Sequence, residues 1–297
     1  MSGPVLRSAG LPDAFWPGGA RAAAAISFDV DAESAILADR PDAAARLTVM
    51  SHQAYGPRVG VPRLLRLLER RGLRATFFVP GYTADRHPDT VRAIRDAGHE
   101  IGHHGYLHEP VFRATADEEE AYLLRGLEAL DRVAGVRPVG YRAPWWETTY
   151  RTPALLARHG FRYDSSLMDD DRPYVLATGS DPGAPTLVEI PIQWALDDWE
   201  QYAFLPDLTG SGVIESPRKV LELWSAELEA LVVEAGCFVL TMHPFLSGRA
   251  SRAAALDELL GRMQAIEGLW IATLGEIAEH VAGLGLEPVL HEPPVVP

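Results

Sequence analysis

Cysteine is almost missing from this chain: Cys237 is the only one in 297 residues, so no disulfide can form within it. Cys237 opens the apolar run Cys237-Phe238-Val239-Leu240, where a small buried core residue is the expectation rather than a nucleophile. Cations are also scarce: 27 Lys and Arg stand against 41 Asp and Glu, a formal charge of −14. That balance opposes adhesion to nucleic acid or to an anionic membrane, and no basic stretch overrules it. Long apolar runs are absent too. Ala22 to Ile26 is too short for a secretory leader and gives way to Asp29, and nothing approaches the length of a membrane span. The expectation is a cytoplasmic protein with neither nucleic-acid nor membrane partners.

What is present is an alternation of short strand-like runs and longer helical patterns. Ala23 to Asp31 opens as a strand, Val61 to Arg71 carries Leu64, Leu65, Leu67 and Leu68 at helical spacing, and Ala75 to Val79 is a strand stopped by Pro80-Gly81. Helices are predicted over about Pro88 to Ala97, Asp117 to Ala134, Pro153 to His159, 216–235, Arg252 to Ile266 and Gly275 to Val281. Strands are predicted over His99 to His104, Val139 to Arg142, Phe161 to Asp164, Cys237 to Met242 and Leu269 to Thr273, with Thr186 to Gln193 extended. Residues 34–60, broken by Pro41, Gly56, Pro57 and Gly60, read as a long loop with a short helix, and 169–185 as a surface loop. Strands alternating with helices imply a parallel sheet. Seven or so such units favour a closed barrel over an open sheet, in one domain over residues 1–297, with its core at about 20–280 and a loose Pro-rich tail from Glu292 to Pro297.

The chemically interesting residues fall at strand ends. Asp29 and Asp31 end the first strand, His104 ends another with His108 in its loop, Arg142 ends a third, Asp164 a fourth, and His243 ends Cys237 to Met242. In a parallel barrel these ends open on one face, where active sites sit. Asp29 and Asp31 share a strand face, and two like charges so close repel unless a cation is near; the plain alternative is a turn or a helix cap. Four of the ten histidines crowd into His99 to His108. His104 and His108, four apart with Gly105 to allow a turn, can bring two imidazoles to one ion. With one carboxylate they leave positions open for a water and a substrate. His99 and His103, of the opposite strand parity, are assigned structural roles. Arg142 is placed to pair with a carboxylate, keeping Asp29 ionised as a base. Trp145 and Trp146 are core residues or a pocket wall. His243 is a candidate general acid, with Asp164 to orient its ring.

Five motifs in order resemble the NodB-homology polysaccharide deacetylases, carbohydrate esterase family four: Ser27-Phe28-Asp29-Val30-Asp31, His104-Gly-Tyr-Leu-His108, Arg142-Ala-Pro144-Trp145, Tyr163-Asp164-Ser165-Ser166 and Leu240-Thr-Met-His243. The likeness covers about residues 20–280. It implies a distorted (β/α)7 barrel, with Asp29 as catalytic base, Asp31, His104 and His108 as metal ligands, Arg142 holding the base and Asp164 tuning His243 as the acid. The common first motif has adjacent aspartates, whereas Val30 separates them here. Asp29-Val-Asp31-Ala-Glu33, Tyr55 to Gly60, and His243-Pro244 with Ser247-Gly248-Arg249 resemble a branch that holds peptidoglycan deacetylase-like proteins, cyclic imide hydrolases and allantoinase-like enzymes.

The resemblance therefore implies metal-dependent hydrolysis of a non-peptide C–N amide bond: removal of an N-acyl group from a sugar or small molecule, or opening of a cyclic imide or allantoin-type ring amide. A reading from another class is a non-catalytic carbohydrate-binding barrel, which predicts the loss of a ligand, the base or the acid; none is lost. Trp145, Trp146 and Glu33 are the expected substrate contacts. Two imidazoles and a carboxylate suit zinc, and also cobalt, nickel or iron. Relatives in this branch imply a homo-oligomer, often a tetramer.

Overall fold

The computed structural model describes residues 15–181, 183–205 and 209–296. Eleven strands are found among them: β1 (Ala22–Asp29), β2 (Thr76–Val79), β3 (Glu100–His103), β4 (Gly140–Tyr141), β5 (Tyr163–Asp164), β6 (Tyr174–Ala177), β7 (Thr186–Glu189), β8 (Phe204–Leu205), β9 (Thr209–Ser211), β10 (Cys237–Met242) and β11 (Leu269–Ile271). The α-helices are α1 (Ser34–Asp39), α2 (Leu47–Tyr55), α3 (Val61–Arg71), α4 (Gly81–Arg86), α5 (Pro88–Asp96), α6 (Ala116–Ala134), α7 (Thr152–Arg158), α8 (Asp198–Tyr202), α9 (Pro217–Val233), α10 (Ala250–Ala265) and α11 (Leu274–Ala282). None of these helices is long and apolar enough to cross a membrane.

The sheet runs β10-β1-β2-β3-β4-β5-β7-β6, with β11 on β1, and all of its pairings are parallel except β6 with β7. This is the expected distorted barrel, as an arc whose end strands β10 and β6 do not pair with each other. Irregular chain spans the gap: Cys237 N donates to Asp171 O at 2.8 Å, Ile192 N to Leu167 O at 2.9 Å, and Asp197 forms an isolated bridge with Thr241.

β1 is the spine of the arc, and its alternation sorts the core. Ala22, Ala24, Ile26 and Phe28 pack outward against Leu64, Leu68, Val220 and Leu256 of the helical layer. Ala23 and Ala25 point inward, toward Phe78, Tyr163, Val188 and Val239. Asp29 shares that inward parity. The interior near β1 is thus filled by small side chains until Ser27 and Asp29, where it turns polar. Cys237 is buried in the inner cluster, and burial pushes its thiol above the usual range, as a core residue requires.

Two segments depart from the reading of the sequence. Residues 34–60 are mostly helical: α1, a 3₁₀ turn at Pro41–Ala45, α2, and a π turn at Gly56–Gly60 that runs into α3. The apparent breakers have other work. Pro41 begins its turn, where a missing N–H costs nothing. Gly60 lets the chain pass so close to Pro244 that a Cβ would lie 2.1 Å from its carbonyl oxygen. The supposed surface loop at 169–185 contains β6, whose edge is covered in turn by Val289. Residues 292–296 are exposed and carry no regular structure; Pro297 lies outside the described residues.

Candidate active site and metal centre

Asp31 lies just beyond β1, in a turn fixed from two sides. Its carbonyl accepts from Ser34 Oγ at 2.7 Å and from Thr83 Oγ1 at 2.8 Å. Its carboxylate is 1% exposed, and neither oxygen has a hydrogen-bond donor. Oδ1 lies 3.4 Å from His104 Nε2, and Oδ2 lies 3.6 Å from His108 Nε2. His104 Nδ1 donates to the Arg142 carbonyl at 2.7 Å, which leaves its Nε2 as a lone pair aimed at Asp31. Burial holds the His108 ring well below the usual imidazole range, in the neutral form that binds metals.

A carboxylate and two ring nitrogens thus converge with no hydrogen bond among them. Burial, with the charges of Asp29 and Asp198 adding to it, pushes the Asp31 carboxyl upward against the pull of His104 and His243, and an ionised carboxylate in this position is costly without a cation. Ligands about 2.0–2.1 Å from a tetrahedral ion stand about 3.3 Å apart, close to the separations found here. The residues present fit a divalent ion held by Asp31, His104 and His108.

Asp29 differs from Asp31 because it has a partner. Arg142, fully buried, donates from Nη1 to Asp29 Oδ1 at 2.9 Å and to Ser27 Oγ at 2.8 Å. The guanidinium is fixed further by Ser165, through its carbonyl and its Oγ, both at 3.1 Å, and by the face of Phe78 at 4.3 Å. Burial opposes the charge on Asp29, but Arg142, with His104 and His243, outweighs it and holds the carboxyl below the usual range. Its Oδ2 is 3.9 Å from His104 Nε2, at the edge of the proposed ion's position.

His243 faces Asp31 from the other side, Nε2 to Oδ2 at 3.6 Å. Its Nδ1 donates to Asp198 Oδ1 at 2.7 Å. Asp198 is itself clamped, by the His243 backbone N–H at 2.9 Å and by the N–H and hydroxyl of Ser247. Burial disfavours the imidazolium, yet Asp197, Asp198 and Asp31 overcome it and push His243 up to about 10. Asp197, Asp198 and His243 also form a potential ligand cluster, but a direct hydrogen bond already joins Asp198 to the ring.

A polysaccharide deacetylase family profile matches residues 49–163. A peptidoglycan deacetylase from Helicobacter pylori is 33% identical over 282 residues, which is 86% of this chain and 94% of that protein. The chain belongs to the polysaccharide deacetylase family. It is therefore a hydrolase of carbon–nitrogen amide bonds. A peptidoglycan deacetylase-like protein from Gibberella zeae is 31% identical over 79% of this chain and 78% of its own. A crystallised Mycobacterium smegmatis protein assigned to the polysaccharide deacetylases shares 56% identity, with a TM-score of 0.91 over 94% of this chain and 97% of its own. The crystal structure of PuuE allantoinase is 25% identical, with a TM-score of 0.78 over 93% of this chain and 95% of its own.

In this deacetylase the Asp164 assignment has to be corrected. Asp164 does not meet His243. Its Oδ1 accepts from Ser165 N at 2.8 Å and from Ser166 Oγ, and it lies across the β5–β7 ladder from Glu189. Strand parity is the reason: Tyr163 takes the inward position on β5, so its neighbour turns to the other face. Burial pushes Asp164 up to about 7 and raises Glu189 strongly, with Asp164 adding to the latter. The pair braces the loop after β5, since Glu189 Oε1 accepts from the backbone of Ser166 and Leu167. That loop supplies the Ser165 contacts to Arg142, so Asp164 acts at one remove.

The carboxylate that meets His243 is instead Asp198, a residue outside the five motifs. The available signal was Asp197-Asp198-Trp199: Asp197 caps α8 by accepting from Trp199 N at 2.8 Å, which places Asp198 at the first helical position. Asp198→Asn is expected to lower kcat about 10-fold to 100-fold, as for other partners that orient a catalytic ring, and to alter the pH–rate profile; Asp164→Asn is expected to have the smaller effect. Equal effects on both measurements would remove the special role of Asp198.

Glu33 also departs from expectation. It is 2% exposed and does not line the pocket: His87 Nε2 lies 2.8 Å from Oε2 and Arg86 Nε 3.3 Å from Oε1. It anchors the turn that follows Asp31. Trp145 and Trp146 do line the pocket, a cavity of about 120 Å3 shared with Trp194 and Trp199. Trp145 stands edge-on to His108 at 5.1 Å, and Trp199 to His243 at 5.2 Å. His103 and His99 face away as expected, bonded to Leu123 O and Ala75 N. Among the described residues, five outside glycine have positive φ, and Ala32, His108, Trp145 and Trp146 are four of them. Strain is thus gathered where the ligands and pocket walls are set.

Proposed function

We propose that the chain removes an N-acyl group from an amino sugar, with Asp31, His104 and His108 holding a divalent ion, zinc by preference. The observation that carries this reading is the buried, donorless Asp31 carboxylate facing two imidazole nitrogens at 3.4 and 3.6 Å. Two imidazole nitrogens and one carboxylate oxygen suit zinc, and also cobalt, nickel and iron. When bound, the ion supplies acidity to a water and polarises the acyl carbonyl.

The chain's own residues supply the proton transfers. Asp29, kept ionised by Arg142, takes the proton of the attacking water through the oxygen that Arg142 leaves free. His243 delivers a proton from Nε2 to the departing nitrogen, while Asp198 fixes Nδ1–H. Without that proton the amine would have to leave as an anion. Arg142 stays charged throughout and acts on the attacking water only through Asp29.

An N-acyl sugar is favoured over a ring amide by the two relatives that carry peptidoglycan deacetylase names over most of their length. The non-catalytic alternative is disfavoured by an intact set of ligands, base and acid. The test is a hydrolysis screen of N-acetyl sugars, cyclic imides and allantoin, before and after chelation. Turnover is expected on N-acetyl sugars, lost on chelation and restored by zinc. A rate confined to cyclic imides or allantoin overturns the substrate, and a rate untouched by chelation overturns the ion.

A further inference from the structure

We propose that Trp194 and Glu200 form the subsite that holds the sugar ring bearing the N-acyl group, and that this subsite selects neutral over anionic sugars. This rests on the N-acyl sugar reading above. The cavity over Asp29 and Asp31 is about 120 Å3, well below the ~300 Å3 at which pockets begin to enclose whole ligands. It has room for the acyl amide, so the ring must lie at the mouth.

Trp194 stands at that mouth, 49% exposed, and lines the same cavity as Asp29 and Asp31. One face of its ring is stacked on Trp146, at 4.5 Å between centroids and 24° between planes. Trp146 is itself 7% exposed. The backbone beneath is pinned: Ala195 O accepts from Trp224 Nε1 at 3.0 Å, and Asp197 bridges to Thr241 on β10. Trp194 is therefore an exposed aromatic surface with almost no freedom to lose, the condition under which a contact returns most binding energy. A pyranose offers a C–H face that matches an aromatic ring and a rim of hydroxyls that donate to a carboxylate.

Glu200 supplies that carboxylate. It is exposed, on α8, and lines the same cavity. Among the described residues that line the cavity there is no Lys or Arg; Asp29, Asp31, Asp197 and His243 are buried at its floor, and Glu200 is the exposed carboxylate. A sugar carrying its own carboxylate would approach Glu200 with no Lys or Arg at the rim to receive it, which costs affinity.

The test uses the zinc-loaded enzyme on three probes: neutral N,N′-diacetylchitobiose, anionic N-acetylmuramic acid and the ringless amide N-acetylethanolamine. Trp194→Ala is expected to lose about tenfold in kcat/KM on diacetylchitobiose, mainly through KM, and less than about threefold on N-acetylethanolamine. Trp194→Phe should recover most of the loss. Glu200→Lys is expected to raise the ratio of N-acetylmuramic acid to diacetylchitobiose turnover by about tenfold. Equal losses on ringed and ringless probes overturn the Trp194 platform, and an unmoved ratio in Glu200→Lys overturns the charge selection. If the wild type cleaves only ring amides, the N-acyl sugar reading itself falls; if it cleaves N-acetyl sugars and the variants behave like it, only the subsite falls.

Discussion

Replacing His243 with alanine is expected to lower kcat by about 10²–10⁴-fold, the usual worth of a positioned acid, while the content of bound ion stays at the wild-type level. The geometry separates these two readouts. His243 Nε2 approaches Asp31 Oδ2 at 3.6 Å, about the same distance as the His108 nitrogen, so distance alone does not say which imidazole is a ligand. The charges around each ring do. His108 Nδ1 has no partner, and burial holds that ring neutral. His243 Nδ1 is bonded to an immobilised carboxylate, with Asp197 a further 3.5 Å contact. Against burial, the carboxylates around His243 favour its protonated form, which suits an acid. Acetate release measured beside elemental analysis of the purified variant decides the matter. Wild-type turnover would remove the acid role, and loss of the ion along with activity would make His243 a fourth ligand.

Much of this was legible before any coordinates. The strand ends were legible because Asp31, Arg142 and His243 are polar at the close of largely apolar runs and His104 closes a histidine-rich one, and parallel pairing brings such ends to one face. The inward parity of Asp29 and His104, and the outward parity of His103, followed from the two-residue repeat of a strand. The same rule, applied to β5, would have excluded Asp164: Tyr163 is the inward residue, and both cannot be. Asp198 was hidden for a different reason. It belongs to a five-residue helix after a 3₁₀ turn at Trp194–Leu196, outside any periodic pattern, and reaches His243 across 45 residues of sequence. Glu33 was misread because adjacency to Asp31 in sequence says nothing about direction once Ala32 turns the chain with φ of 51°. Residues 34–60 are helical where a loop is expected because Gly60 serves close packing and Pro41 a helical start rather than breaking the chain.

Asp31→Asn makes the sharpest demand on the proposed metal centre, because it preserves shape and removes charge. A partner that merely orients a ligand costs 10-fold to 100-fold in affinity when lost; a direct anionic ligand should cost more, so affinity for zinc is expected to fall by more than about 100-fold and turnover with it. The same substitution should act in the opposite direction on the ion-free protein. There the wild type buries a carboxylate with no donor to either oxygen, beside Asp29 and Asp198, whose charges push its ionisation further out of reach. Asparagine removes that burden and brings two N–H groups toward the imidazole nitrogens. The ion-free variant is therefore expected to melt at or above the ion-free wild type. Adding ion reverses the order: binding at 100 times Kd stabilises the wild type by about 2.7 kcal/mol, a shift of several degrees that the variant should lack. Thermal melts of both proteins with and without zinc measure all four states. An equal zinc-induced shift in the two would show that the ion, if it binds, binds somewhere that Asp31 does not touch.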